Sequence, residues 1–382
     1  MTAVDAVDAR AAAGTALVLF ADQEPWEAFV QFAAALRRRG IRVERLTAAD
    51  RSAVRRVNDL LQRPVYHRIR PELRFDPAGE LPAAGVPADL PAGVAACEAV
   101  DIVAAALSGA PGVPPRAADP AAEQLLFDKL AITRFAAARG IAVPRSWAAE
   151  DPAPVPPPFL VKPRLGSGGQ GIEVLPDEVA VARLRRTAPP ARLMCQERAP
   201  GELLHVGGVA RDGVVLQAAC YRAVGSPFAA FGPSAEVLTV DDAAASDATA
   251  TLLGSLRYTG AFCLDFVRDA DGRPLLIDVN ARVFGSWAAL QAAGLDLVGA
   301  YLFAWGLSDE PPTGSLPAGR RLLVLPPDTA AGGRGALAAH LAGIGRATGL
   351  LGPRWAASTT ARVLSAALVR AARRMSGREL PR

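Results

Sequence analysis

The hydrophobic positions of the chain fall into blocks of changing period. Residues 14–20 (GTALVLF) form a short apolar run that reads as a buried strand. Residues 25–40 (PWEAFVQFAAALRRRG) place Trp26, Phe29, Val30, Phe32 and Leu36 on one broad helical face. They end in basic residues and Gly40, a helix stop. Residues 41–46 (IRVERL) alternate as a second strand. The opening is therefore β-α-β, and about the first 110 residues are expected to form a small α/β domain.

Further along, residues 76–93 are rich in Pro, Ala and Gly and carry no period, so they read as loop. PGVPPRAADP (111–120) reads as a boundary. Residues 121–140 (AAEQLLFDKLAITRFAAARG) predict one amphipathic helix, stopped by Gly140. A proline-rich passage then leads into FLVKP (159–163). Between 194 and 240, short alternating segments with turn residues predict antiparallel strands. AFCLDFV (261–267) and RPLLIDVN (273–280) are two more, joined by the Asp-Gly turn of RDADG. Residues 287–307 read as one helix and residues 357–374 as a basic amphipathic helix. No internal repeat is visible.

Composition narrows the picture. A chain of 382 residues, 51% hydrophobic and 21% charged, can fill the cores of two or three domains and is not of disordered type. A net charge of +4 with no lysine-rich run argues against nucleic acid as the main partner. Cys97, Cys195, Cys220 and Cys263 are far apart, form no C-x-x-C pair and have no His close in sequence. They read as buried small hydrophobes in a reducing compartment. Asp5 and Asp8 stand where a secretion signal carries basic residues. No run of about 18 apolar residues lacks a charge, so a cytoplasmic chain without a membrane span is expected. The helix at 357–374 sets Arg362, Arg370, Arg373 and Arg374 beside Val363, Leu364, Leu368 and Val369. Such a helix can touch an anionic membrane surface, though packing on its own protein is the simpler reading.

Two stretches carry candidate chemistry. Of the 42 basic residues, all but Lys129 and Lys162 are arginine. Lys162 precedes Gly166, Ser167, Gly168, Gly169 and Gly171 in KPRLGSGGQG, which satisfies G-x-G-x-x-G. A dinucleotide fingerprint needs a helix after the loop, but IEVL favours a strand. A kinase loop needs its lysine after the glycines, not before them. A strand-loop-strand flap whose backbone N–H groups close over phosphates remains, beside the plain alternative of a solvated hairpin. In the second stretch Asp265 lies on one strand of a hairpin, and Asp278 and Asn280 share a face of the other. Three converging oxygen ligands suit Mg²⁺. Arg282 shares that face if the strand continues, within reach of a phosphoryl group. The apolar surroundings in LLIDVN make a carboxylate there in need of a partner or a metal.

In this order, the pieces resemble the ATP-grasp superfamily over about residues 126–307, roughly half of the chain. FDKLAITRFAAARGIAVPRSW is similar to its D-K helix, FLVKPRLGSGGQGI to its second lysine and glycine flap. CQERAPGE is similar to its adenine hinge and ribose acid, and LDF…LIDVNARVFGSW to its metal-binding ending. The nearest look is of the carboxylate–amine ligase and carbamoyl-phosphate-synthase-like branch. The resemblance implies an α+β ATP-grasp fold of two lobes clasping ATP, after an N-terminal α/β Rossmann-like domain. The expected divisions are residues 1–115, a small lobe with the flap over 116–198, a large lobe with the metal site over 199–310, and a partly helical segment over 311–382.

The resemblance also implies roles. Lys129 and Lys162 meet the nucleotide phosphates, with the flap of Gly166, Ser167, Gly168, Gly169 and Gly171 above them. Gln196 and Glu197 lie at the adenine, and Glu202 at the ribose. Asp265, Asp278 and Asn280 hold one or two Mg²⁺, with Mn²⁺ as an admissible substitute; the family often has Glu where Asp265 and Asp278 stand. His205 reads as a strand histidine and not as a base. Arg222 stands where relatives face the substrate, and Ser286 where the family ending has its serine. The implied activity joins a carboxylate to an amine through an acyl phosphate, releasing ADP and phosphate, with Arg282 and Lys162 catalytic. Carboxylation or carbamoyl-phosphate-type chemistry, or nucleotide binding without turnover, are the alternatives. The partners implied are small-molecule carboxylate and amine substrates, with a homodimer compatible.

Overall fold

A computed structural model describes residues 16–22, 27–49, 59, 62–76, 81–82, 85–166, 169–187, 192–224 and 236–324. The expected helix at 357–374, most of the stretch between Tyr221 and Ser234, and Ser167 and Gly168 of the expected flap lie outside these.

The chain opens with β1 (Leu17–Asp22), α1 (Glu27–Arg38) and β2 (Arg42–Ala48), as the pattern predicts. β3 (Arg68–Leu73) and β4 (Val94–Ala99) complete a parallel sheet of order β3-β2-β1-β4. β1 and β4 are buried along their whole length, as a strand covered on both faces should be. α1 ends in Arg37 and Arg38, followed by Gly40 at φ 80, a left-handed stop that glycine alone adopts at no steric cost. Its Phe32 packs on Trp287 and Tyr301 with ring centroids 4.7 and 4.8 Å apart. This apolar cluster ties the first domain to residues far along the chain.

The helix predicted over 121–140 is two helices. α2 (Asp101–Leu107) precedes α3 (Pro120–Leu125) and α4 (Lys129–Ala137). The break has a local cause: Asp128 leaves the helix and caps α4 by accepting from the backbone N–H groups of Leu130 and Ala131. The restart makes Lys129 the first residue of α4. The helix predicted over 287–307 is likewise divided, into α7 (Trp287–Ala293) and α8 (Leu297–Ala304), bent by 110°. Gly294 at φ 125 ends the first, and Asp296 caps the second through Gly299 N.

Two antiparallel sheets complete the fold. The small one has the order β5-β8-β6-β7, from β5 (Ser146–Ala148), β6 (Phe159–Pro163), β7 (Glu173–Leu175) and β8 (Leu193–Glu197), with α5 (Glu178–Thr187) after β7. The large one has the order β13-β12-β9-β10-β11-β14. It is built from β9 (Glu202–Arg211), β10 (Val214–Val224), β11 (Glu236–Thr239), β12 (Gly260–Arg268), β13 (Pro274–Asn280) and β14 (Arg321–Leu323), with α6 (Ala243–Leu256) between β11 and β12. The β12–β13 hairpin turns at Gly272, φ 80, where Asp269 accepts from Asp271 N and Arg273 N, as the Asp-Gly signal predicts. β14 pairs with β11 in a region expected to be partly helical; three residues are too few for a period to show. Among the described residues no single helix is long and apolar enough to cross a membrane.

Candidate active site

The site is built where β6 of the small lobe meets β13 of the large one. IEVL becomes strand, as read: β7 returns antiparallel to β6, with Gly169 and Gly171 at φ 73 and 71 in the connection. A Cβ on Gly171 would stand 2.9 Å from the Pro163 ring, so the return over the lysine strand needs glycine. Below this turn, Asp128 pairs with Arg164, and Lys129 N donates to Arg164 O at 2.9 Å. Burial opposes the Asp128 charge, but Arg164 and two backbone N–H groups outweigh it and hold its carboxyl below the usual range. Asp128 thus starts the first lysine's helix and fastens it to the second lysine's strand.

Both lysines reach the same place. Lys129 Nζ donates to Asp278 Oδ1 at 2.5 Å. Burial works against its charge, but Asp278 and Asp101 more than compensate and raise its pKa. Lys162 is 5% exposed, and among the described residues its acceptors are neutral, Ile277 O at 2.9 Å and Gln196 Oε1 at 3.1 Å. Burial, with repulsion from Lys129, lowers its pKa from 10.5 to about 8 despite the attraction of Asp278. A desolvated ammonium facing carbonyl oxygens fits a phosphate as its missing counter-charge.

On the large sheet Asp265 and Asp278 are register partners, and Asn280 faces Cys263. The predicted three-residue surface is present, but each carboxylate has its own company. Asp278 meets Lys129, while Asp265 Oδ1 lies 2.7 Å from His205 Nδ1 and its Oδ2 accepts from Asn280 Nδ2 at 3.3 Å. Burial would raise the Asp278 pKa; Lys129, Lys162 and Arg282 bring it below the ordinary value. Hard oxygen donors beside two phosphate-seeking cations suit Mg²⁺ carried on a nucleotide.

Arg282 is 6% exposed and donates to Asn280 Oδ1 at 2.8 Å and to Asp101 Oδ1 at 3.1 Å. Asp101, first residue of α2, was invisible to the sequence reading: a lone Asp at a helix start carries no motif. Glu98, at the end of β4, accepts from Val283 N at 2.8 Å. The parallel domain therefore holds the residues that follow β13.

The expected nucleotide residues of the hinge divide in two. Gln196 is 2% exposed and turned inward, accepting from Lys162 and donating to Ser146 Oγ at 3.1 Å. It positions the lysine. Glu197 is at the surface in a two-pronged pair with Arg145, at 2.8 and 2.9 Å, which lowers its pKa. Glu202 pairs with Arg222 at 2.9 Å, also at the surface. Ser286 donates to Tyr221 Oη at 2.6 Å and makes no side-chain cap to α7.

The low pKa of Lys162 has a measurable consequence. The unfolded lysine binds its proton up to pH about 10.4, the folded one only to about 8, so the unfolded state holds more protons across that window. Its contribution to stability therefore rises as pH rises through it. At pH 7 the charge costs about 3 kcal/mol at 1.36 kcal/mol per unit. Less the two lost hydrogen bonds, Lys162→Met is expected to stabilise the nucleotide-free protein by about 1–2 kcal/mol at pH 7. The gain over wild type shrinks toward pH 10. Denaturant melts at both pH values check this.

A two-lobed α+β clasp, lysines on one lobe and carboxylates on the other, preceded by a parallel domain, is a recognisable class. Residues 126–286 match the ATP-grasp domain family, and the chain has the ATP-grasp fold. It is similar to an L-amino acid ligase from Bacillus licheniformis, with TM-score 0.54 and 15% identity over 78% of this chain and 75% of that one. An N5-carboxyaminoimidazole synthetase from Staphylococcus aureus gives TM-score 0.58 and 14% identity, over 78% and 80%. The N5-carboxyaminoimidazole ribonucleotide synthetase of Thermus thermophilus gives 0.56 and 14%, over 87% and 98%. No curated protein matches the sequence.

Proposed function

We propose that the protein is an ATP-dependent ligase that joins a small-molecule carboxylate to an amine through an acyl phosphate, releasing ADP and phosphate. The observation that carries this reading is the meeting of Lys129 and Lys162, from two different elements, at β13, where Lys129 pairs with Asp278 and Lys162 donates to the Ile277 carbonyl. Such a cluster serves the terminal phosphates of a nucleotide.

In this reading the two lysines hold the phosphate oxygens, beside the glycine turn that leads from β6 back into β7. The substrate carboxylate attacks the γ-phosphorus, and the bond to the β-phosphate oxygen breaks. The amine then attacks the acyl carbon, and phosphate leaves as the amine proton passes to solvent. Asp265, Asp278 and Asn280 would hold Mg²⁺, which when bound neutralises charge on the transferring group. Gln196 keeps Lys162 in place, and Arg282 keeps Asn280 in place. Glu197 and Glu202, both at the surface, are assigned to adenine and ribose.

A second reading has support from the carboxyaminoimidazole synthetases and from a biotin carboxylase domain crystallised with bicarbonate, which share the fold. There bicarbonate replaces the organic carboxylate, and carboxyphosphate the acyl phosphate. A screen of amino-acid pairs, each with and without bicarbonate, scored by phosphate release, tests both. Release that depends on an amino-acid pair supports ligation; release that depends on bicarbonate with one amine supports the second reading; none with any combination contradicts both.

Asp101 is expected to matter although it lies outside the clasp. Asp101→Asn keeps the shape but weakens the charge that holds Arg282. The expected result is a fall in kcat of about tenfold, near 1.4 kcal/mol, with KM for ATP changed by less than about threefold and restored kcat in Asp101→Glu. Steady-state kinetics of both variants check it.

A further inference from the structure

We propose that His205, Cys263 and Asp265 form a site for a thiophilic divalent cation of the zinc and cobalt class. This goes beyond the ligase reading and shares with it only Asp265. Asp265 pairs in register with His205 across β9 and β12, and Cys263 stands two residues earlier on the same face of β12. His205 Nδ1 is 2.7 Å and Cys263 Sγ 3.6 Å from Asp265 Oδ1. All three donor atoms lie within 4.8 Å of one another. Tetrahedral zinc with bonds of about 2.0–2.3 Å sets its donors roughly 3.3–3.8 Å apart, so small side-chain adjustments suffice.

The donors are also held from behind. The His205 ring stacks on Tyr221 with centroids 5.2 Å apart. Tyr221 Oη accepts from Ser286 and stands 3.4 Å from Cys263 Sγ. Such outer contacts fix ring orientation around a metal. His205 and Asp265 keep 17% and 22% side-chain exposure, which leaves an entry path and a position for water or substrate. The donor chemistry decides the class. Magnesium takes oxygen and does not select imidazole or thiolate, whereas zinc and cobalt do. On binding, the Cys263 proton leaves to solvent, and thiolate plus carboxylate balance the two positive charges.

Cobalt reports this directly. The full chain, stripped with a chelator and free of nucleotide, is titrated with Co²⁺. One equivalent is expected to bind with a sulfur-to-cobalt charge-transfer band and visible d–d bands. Zn²⁺ should displace it; a roughly hundredfold excess of Mg²⁺ should not. Cys263→Ser should remove the charge-transfer band, and His205→Ala should raise the Co²⁺ needed for half-saturation by at least about tenfold. Absence of the band in wild type, or a band that survives Cys263→Ser, overturns the proposal. If Cys263→Ser does not fold, unchanged Co²⁺ affinity in His205→Ala overturns it equally. No arm uses ATP, so the ligase reading stands or falls separately.

Discussion

Lys162→Arg is expected to lose at least about a hundredfold in ATP turnover, close to 2.7 kcal/mol of transition-state stabilisation, while the fold persists. The change keeps the charge in a chain that uses arginine nearly everywhere else. What it removes is compactness. Lys162 is 5% exposed, with Gln196 and the Ile277 carbonyl around its ammonium. A planar fork does not fit the space of a point charge and must push one of these partners away. Overpacking of this kind costs about 1–3 kcal/mol, too little to unfold a chain of this size but enough to move the cation off a phosphate oxygen. Thermal melts and ADP release on the same preparation give the two readings. Turnover near wild type would mean that charge alone is required.

Asp278→Asn is expected to act on both stability and metal demand. Lys129 pairs with this carboxylate, and Lys162 and Arg282 lie in its field. Removing one member of a buried pair costs about 3–5 kcal/mol. The Asp278 side chain is 24% exposed, so solvent screening reduces the expected loss to about 2 kcal/mol. The same change removes a negative oxygen from the proposed metal face. The Mg²⁺ concentration for half-maximal turnover should rise at least about tenfold, in line with the loss of one charged ligand. A Mg²⁺ titration at saturating ATP shows whether it does. An unchanged titration would assign Asp278 to holding Lys129 and nothing more.

Much of this was legible in the sequence where chemistry is local. The β-α-β opening, the Asp-Gly hairpin and the strand after the glycine loop follow from period and turn residues. The scarcity of lysine singles out Lys129 and Lys162, and both reach β13, one at Asp278 and the other at the Ile277 carbonyl. The sequence was silent where function depends on contacts remote in the chain. Asp101 and Arg282 are 181 residues apart, and no pattern links them. The resemblance puts Gln196 at the adenine; its contact with Lys162, 34 residues away, carries no signal in the sequence. His205 read as an ordinary strand histidine because its partner Asp265 lies 60 residues on. The two divided helices share one feature: an Asp cap restarts a helix without disturbing the apolar period, at Asp128 and at Asp296, the second after a stop at Gly294.

The central claim is attack at the γ-phosphate. Lys129 pairs with Asp278, Lys162 donates to the adjoining Ile277 carbonyl, and Asp265 stands opposite Asp278 on the strand pair; attack at the terminal phosphate is what such a set serves. The measurement is the nucleotide product. During turnover with any active carboxylate–amine pair, ADP and inorganic phosphate should appear in equal amounts, and hydroxylamine in place of the amine should trap the acyl phosphate as a hydroxamate. AMP and pyrophosphate as the stoichiometric products would contradict the account, because they require attack at the α-phosphate.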